Sequence, residues 1–231
     1  MKVDIGIIGA LSEEIEGLVS ALTEHQSETV GSIVYHTGVL DGKRVAVARC
    51  GVGKVFAAIC AEAMIIKYAP SLIINTGVGG ALASGLKTAD IVIADKLCQH
   101  DMDTSPLGDP KGLISGINKI YFEADARAVE LLKKIAEQQS LSAIVGTVAS
   151  GDKFVADKAD KDRIASEFGA AACEMEGAAI AHTAFVNDTA FAVIRAISDS
   201  ANGDATMDYP TFLPIAAKSS AALTRALIKA Y

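Results

Sequence analysis

The chain has 231 residues, a size suited to one large α/β domain or two small ones. It is 51% hydrophobic but only 5% aromatic, it lacks Trp, and its formal net charge of −7 comes with no basic stripe. That balance argues against a nucleic-acid binder, and no apolar run approaches the ~20 residues of a membrane span. The four cysteines, Cys50, Cys60, Cys98 and Cys173, form no C-x-x-C pair and read as small buried apolar residues. The histidines show no metal-ligand spacing, and His100-Asp101-x-Asp103 reads as an ordered polar loop before it reads as a metal site. Met1-Lys2 leads straight into a strand without a signal-peptide pattern, so a cytoplasmic protein is expected.

Val3 to Ile8 is the first predicted strand, ended by Gly9-Ala10. Ser12 is the expected N-cap of a helix with Ile15, Leu18, Val19 and Leu22 on one face. Glu13, Glu14 and Glu16 lie in its first turn, where acids suit the helix dipole. Glu14 also follows a strand end closely enough to enter a shared crevice. Thr29 to Leu40 and Lys43 to Cys50 read as strands joined by the hairpin turn Asp41-Gly42. Gly51-Val52-Gly53-Lys54 opens a helix from Val55 to Tyr68. It is not a phosphate loop, because the earlier Gly is missing and Val55 stands where Ser or Thr is needed.

Leu72 to Ile74 is a buried strand, and Asn75 to Gly80 follows as a glycine loop open to backbone contact with a ligand. Ile91 to Ala94 is another strand. Residues 101 to 119 form a long Pro- and Gly-bearing loop, a kind that is usually functional. Ala124 to Gln138 is a helix, and Ala143 to Ala149 is a strand running into Ser150-Gly151-Asp152-Lys153-Phe154. Phe154 there either stacks on a flat ring or plugs the core. Asp157 to Phe168 is a charged, exposed helix. Ala170 to Cys173 is a short strand entering Glu174-Met175-Glu176-Gly177, and a helix follows to Val186. Ala190 to Ile194 is a buried strand ending in Arg195, Ser198 and Asp199. Ser200 to Tyr209 is a polar loop, and Thr211 to Ala230 is a closing helix.

Alternating strands and helices predict an α/β fold, a mainly parallel twisted sheet with helices on both faces, in a single domain spanning 1–231. Ligands of open α/β sheets bind beyond the strands' carboxyl ends, where this chain offers Glu14, Glu176 and Asp199. Glu174 and Glu176 stand amid Ala-rich packing, where carboxylates are seldom buried without a task. No dinucleotide fingerprint or nucleophile elbow accompanies them, so no cofactor and no metal is expected. Paired carboxylates without a metal suit cleavage of a glycosidic bond. One acid protonates the leaving group and one base activates water.

G-I-I-G-A-L-S-E-E at 6–14, N-T-G-V-G-G-A at 75–81, S-G-D-K-F at 150–154, E-M-E-G-A at 174–178 and R-A-I-S-D at 195–199 resemble the 5′-methylthioadenosine/S-adenosylhomocysteine nucleosidases. These belong to the purine nucleoside phosphorylase-like superfamily. The resemblance implies a three-layer α/β/α sandwich with a central mixed sheet, a homodimer, and an adenine nucleoside and water as reactants. It implies that Asp199 protonates N7 of adenine and Glu14 activates the attacking water. Glu176 binds the ribose hydroxyls with the Met175 backbone, Phe154 stacks on adenine, and the Val155 backbone reads its edge. Leu11, Val52 and Tyr209 match the 5′-alkylthio pocket, and Arg195 and Ser198 orient Asp199. Val78, Gly80 and Glu174 complete the expected substrate-binding set.

Two alternatives stay open. A phosphorylase of the same superfamily needs a phosphate site, but Asn75 and Val78 stand where related phosphorylases carry Arg and Ser. An inactive nucleoside-binding sensor is the other, and the presence of Glu14, Glu176 and Asp199 together argues against it. The segment His100 to Gly116 departs from the longer aromatic-rich loop of better-known members, which leaves the 5′ substituent open.

Overall fold

The computed structural model describes residues 2–199 and 205–231, with residues 205–208 described by their backbone alone. In chain order the elements are β1 (Ile5–Gly9), α1 (Ser12–Ser20), β2 (Thr23–Val30), β3 (Ile33–Leu40), β4 (Lys43–Arg49) and α2 (Lys54–Tyr68). Then come β5 (Leu72–Ala81), β6 (Ile91–Gln99), β7 (Phe122–Glu123), α3 (Ala126–Gln138) and β8 (Ala143–Ser150). The chain continues with α4 (Lys158–Phe168), β9 (Ala170–Glu174), α5 (Gly177–Val186), β10 (Ala190–Asp199) and α6 (Ala205–Ala230).

The strands form one mixed sheet in the order β10-β6-β8-β9-β5-β1-β4-β3-β2, with β7 on β6. β10 also pairs with β5, so β5, β10, β6, β8 and β9 close a ring. β5 is its hub. One edge of β5 runs parallel to β10 from Leu72–Ala190 to Gly80–Asp199. The other edge takes β1, parallel, as far as Asn75–Ile8, and then β9, antiparallel, from Gly80–Cys173. Between those pairings this edge is open.

Central strands are buried on both faces, which is why their sequences are β-branched runs rather than alternating ones. Ile7, Ile74 and Ile194 pack with the apolar faces of α1, α3 and α6, while Ile8, Ile73 and Val193 pack with α2 and α5. The result is three layers, α/β/α. α4 joins a smaller cluster through Ile164 and Phe168 beside β9.

Several boundaries differ from expectation, each for a physical reason. β2 has the sequence TEHQSETV and is almost wholly exposed, so no apolar pattern announces it; backbone pairing with β3 holds it. The turn at Gly31 then splits the expected Thr29–Leu40 strand, and Leu11 rather than Ser12 is the N-cap of α1. The expected loop Asn75–Gly80 is strand, and β10 runs on through Arg195 and Ser198 to Asp199. These two corrections explain each other. Gly77, Gly79 and Gly80 lie opposite Arg195, Ile197 and Asp199, and a Cβ at Gly80 would come within 3.1 Å of Asp199 Oδ2. Bare backbone on β5 makes room for polar side chains on β10. The closing helix begins at Ala205, not Thr211, so Tyr209 is helical; Ser200 to Asp204, expected as loop, lie outside the described residues. Among the described residues no helix is long and apolar enough to cross a membrane.

Candidate active site

Where the open edge of β5 meets the ends of β1, β9 and β10 there is a cavity. Every residue expected at the site lines it except Arg195, which lies behind its wall.

Glu14 reaches the cavity from the first turn of α1 and is 4% exposed. Its Oε2 accepts the N–H groups of Ala10 at 2.6 Å and Leu11 at 3.0 Å. Its Oε1 accepts the Val78 N–H at 3.0 Å, a donor on the open edge of β5. The Val78 contribution is therefore its backbone. Burial raises the Glu14 carboxyl above its ordinary range, against the opposing pull of Arg195 and these three N–H groups. Gly77 is required alongside, because a Cβ there would lie 2.5 Å from Glu14 Oε1.

Glu174 and Glu176 are two residues apart and set oppositely. Glu174 pairs with the buried Arg195 guanidinium and accepts the Ser150 hydroxyl. Its Oε2 also accepts the N–H groups of Glu176 at 3.0 Å and Gly177 at 2.8 Å. Burial opposes its charge, but Arg195 and these donors hold the carboxyl below the usual range. Its bonds are thus spent on the protein. Arg195, expected to orient Asp199, instead joins Glu174 to the Asn75 side chain and donates to the Ile194 carbonyl at 2.9 Å. Glu176 caps α5 and accepts the Gly53 N–H at 2.8 Å, in a turn where Gly53 has φ +102°. Burial, and then the charge of Glu174, push Glu176 up to about 8.

Asp199 closes the opposite side at 3% exposure. Its Oδ1 accepts the Ser198 hydroxyl at 3.0 Å, and its Oδ2 faces the Lys161 ammonium at 2.9 Å. Phe154 is 45% exposed at the rim, edge-on to Tyr209 with ring centroids 5.5 Å apart. Leu11, Val52 and Met175 complete the apolar lining, and Val155 is buried beside Phe154. A second recess shares Ala10, Leu11 and Val52 with the cavity, and Arg49 on its wall donates to Ser12 Oγ at 3.0 Å. Asp101 is occupied as well, accepting from Lys54 Nζ at 2.6 Å and from the Asp152 N–H at 2.8 Å. It ties the 101–119 loop to the Ser150–Phe154 loop, while Asp103 accepts the Ser105 N–H.

Comparison with known proteins identifies the family. The family model of the phosphorylase superfamily matches residues 4–229. A 5′-methylthioadenosine/S-adenosylhomocysteine nucleosidase of Staphylococcus aureus (strain JH9) is 38% identical over 225 residues, covering 97% of this chain and 98% of the relative. The chain belongs to this nucleosidase family. The Neisseria meningitidis nucleosidase in complex with methylthio-immucillin-A superposes with a TM-score of 0.95 at 34% identity, covering 99% of both chains. A futalosine hydrolase of Helicobacter pylori is similar too, with a TM-score of 0.94 at 34% identity, covering 99% of this chain and 98% of that one.

In this nucleosidase-family chain, sequence reasoning missed three contributors to the site. Asn75 and Ser150 anchor the Arg195–Glu174 pair from two different strands. Lys161 belongs to a helix expected to be exposed, yet it is buried against Asp199. Its spacing held the signal, since Lys161, Ile164 and Phe168 are the inward positions of α4.

Proposed function

We propose that this nucleosidase-family chain hydrolyses the N-glycosidic bond of 5′-methylthioadenosine, S-adenosylhomocysteine and related adenine nucleosides, releasing adenine. One observation carries the reading, the seat of Glu14. Three backbone N–H groups converge on its carboxylate. Converging backbone donors are what an anion such as phosphate would need. Here a carboxylate fills them, so the fitting nucleophile is neutral water. Burial strengthens Glu14 as a base for that water.

In the reaction Asp199 gives a proton to N7 of adenine as the C1′–N9 bond breaks and its electron pair passes to the base. The carboxylate of Glu14 steadies the positive charge left on the sugar. Water attacks C1′ and yields its proton to Glu14. Glu176 takes the ribose hydroxyls with the Met175 backbone, Phe154 stacks on adenine, and the Val155 backbone reads its edge. Leu11, Val52 and Tyr209 line the space for the 5′ group, Ser198 orients Asp199, and Arg195 with Glu174 holds the turn that carries Glu176. Gly80 leaves the acid its room. The recess beside Arg49 favours a second reading, an adenine nucleoside with a bulkier 5′ group.

Incubation with methylthioadenosine, with and without phosphate, tests the reaction. Free adenine and a reducing sugar without phosphate are expected. A sugar 1-phosphate formed only with phosphate would overturn the reading and remove Glu14 from its role.

The working unit proposed is a homodimer of single-domain subunits in the cytoplasm. Its support is the apolar groove along α2 and α5, where Val55, Ile59, Ile66 and Val186 are more than half exposed. Light scattering is expected to give twice the chain mass, and Ile59→Glu to halve it.

A further inference from the structure

α4 turns one charged residue inward. Lys161 is 2% exposed and shares its face with Ile164 and Phe168. A lysine so deep is costly unless a counter-charge meets it. Asp199 supplies that charge, with Nζ 2.9 Å from Oδ2 and both side chains at most 4% exposed. Ser198 holds the other carboxyl oxygen, and the Gly80 backbone closes the side toward β5. Lys161 does not line the cavity. The ammonium stands behind the acid, in reach of its carboxyl but not of the substrate.

We propose that Lys161 is the positioning residue of the acid: it fixes the Asp199 carboxyl against the purine and resupplies, through it, the proton that N7 takes up. The proposal rests on the reading of Asp199 as the acid. As the C1′–N9 bond breaks and its electrons pass to N9, a proton leaves Nζ for the Asp199 carboxylate, and the carboxyl so formed delivers a proton to N7. Lys161 is left as a neutral amine. It regains a proton from solvent while Glu14 releases the one taken from water, so no other reactant is consumed.

The test compares wild type, Lys161→Met and Lys161→Arg on two substrates. One is methylthioadenosine, whose base must be protonated to leave. The other is the 4-nitrophenyl glycoside of 5-methylthioribose, whose 4-nitrophenolate leaves as an anion. Both variants are expected to lose about a hundredfold or more in kcat on methylthioadenosine, the size of a general-acid contribution, with KM nearly unchanged. Both are expected to cleave the nitrophenyl glycoside at the wild-type rate. Arginine keeps the charge but does not give up its proton, so its failure separates proton supply from simple pairing. Wild-type kcat on methylthioadenosine in either variant overturns the proposal. Equal losses on both substrates also overturn it, since a pillar of the fold would act on both alike. A wild-type chain inert toward methylthioadenosine would instead refute the hydrolase reading, a distinguishable outcome.

Discussion

Glu176 carries a pH-dependent burden that can be measured without substrate. In the folded chain burial, and then Glu174, hold its carboxyl at about 8, against an ordinary 4.5. The folded state keeps this proton where the unfolded chain has lost it. The carboxyl's contribution to stability is therefore complete below 4.5, falls as pH rises through the folded value, and levels off above it. Glu176→Gln removes the titration while leaving an oxygen to accept the Gly53 N–H. The span from 4.5 to about 8, at about 1.36 kcal/mol per pH unit, sets a ceiling of about 5 kcal/mol. For a chain of this size about 2 °C of Tm accompanies each kcal/mol, so the ceiling is about 10 °C. Melting of both proteins is followed by circular dichroism between about pH 5 and about pH 9.5. The variant should match wild type at the acid end and melt progressively higher toward the alkaline end. A Tm difference that stays flat across that range refutes the reasoning.

Asp199→Asn is expected to abolish turnover of methylthioadenosine while a non-hydrolysable adenine nucleoside still binds by calorimetry; full activity would remove Asp199 from the acid role. The same change removes the charge that faces Lys161 Nζ at 2.9 Å, and should lower stability in urea. Phe154→Ala is expected to weaken adenine binding by about 1–3 kcal/mol, the worth of one base stacked on an aromatic. An unchanged Kd would make Phe154 a plug over the core. Gly77→Ala drives a methyl group into Glu14 Oε1, and kcat should fall about a hundredfold or more with adenine binding and far-UV dichroism retained. Unchanged kcat would detach Glu14 from the chemistry.

The central sheet is legible because Ile5–Ile8, Leu72–Ile74 and Ala190–Ile194 are apolar runs that only doubly buried strands use. β2 is illegible for the opposite reason, being polar and exposed along its length. The glycines at 77, 79 and 80 imitate a loop, since nothing local shows that β10 secures them. The carboxylates of E-M-E-G and I-S-D stand out in the sequence. Their division of labour does not, because it depends on Arg195 reaching Glu174 and on Lys161 reaching Asp199 from distant elements. In α4 the inward spacing of Lys161 is present but is outweighed by Lys158, Asp160, Asp162 and Arg163 around it.

The ring closed by β5 and β10 bears on how such a site can diversify. Ring closure pairs β10 with both β5 and β6, and Asp199 and the Val78 N–H that anchors Glu14 ride on its adjacent strands β10 and β5. On the proposed reading the 5′ end of the nucleoside is met elsewhere, by Tyr209 on a helix turn and beside the recess that Arg49 walls. On that reading, bond cleavage and choice of the 5′ group are carried by different parts of the molecule, the first by the ring and the second by what stands around its mouth.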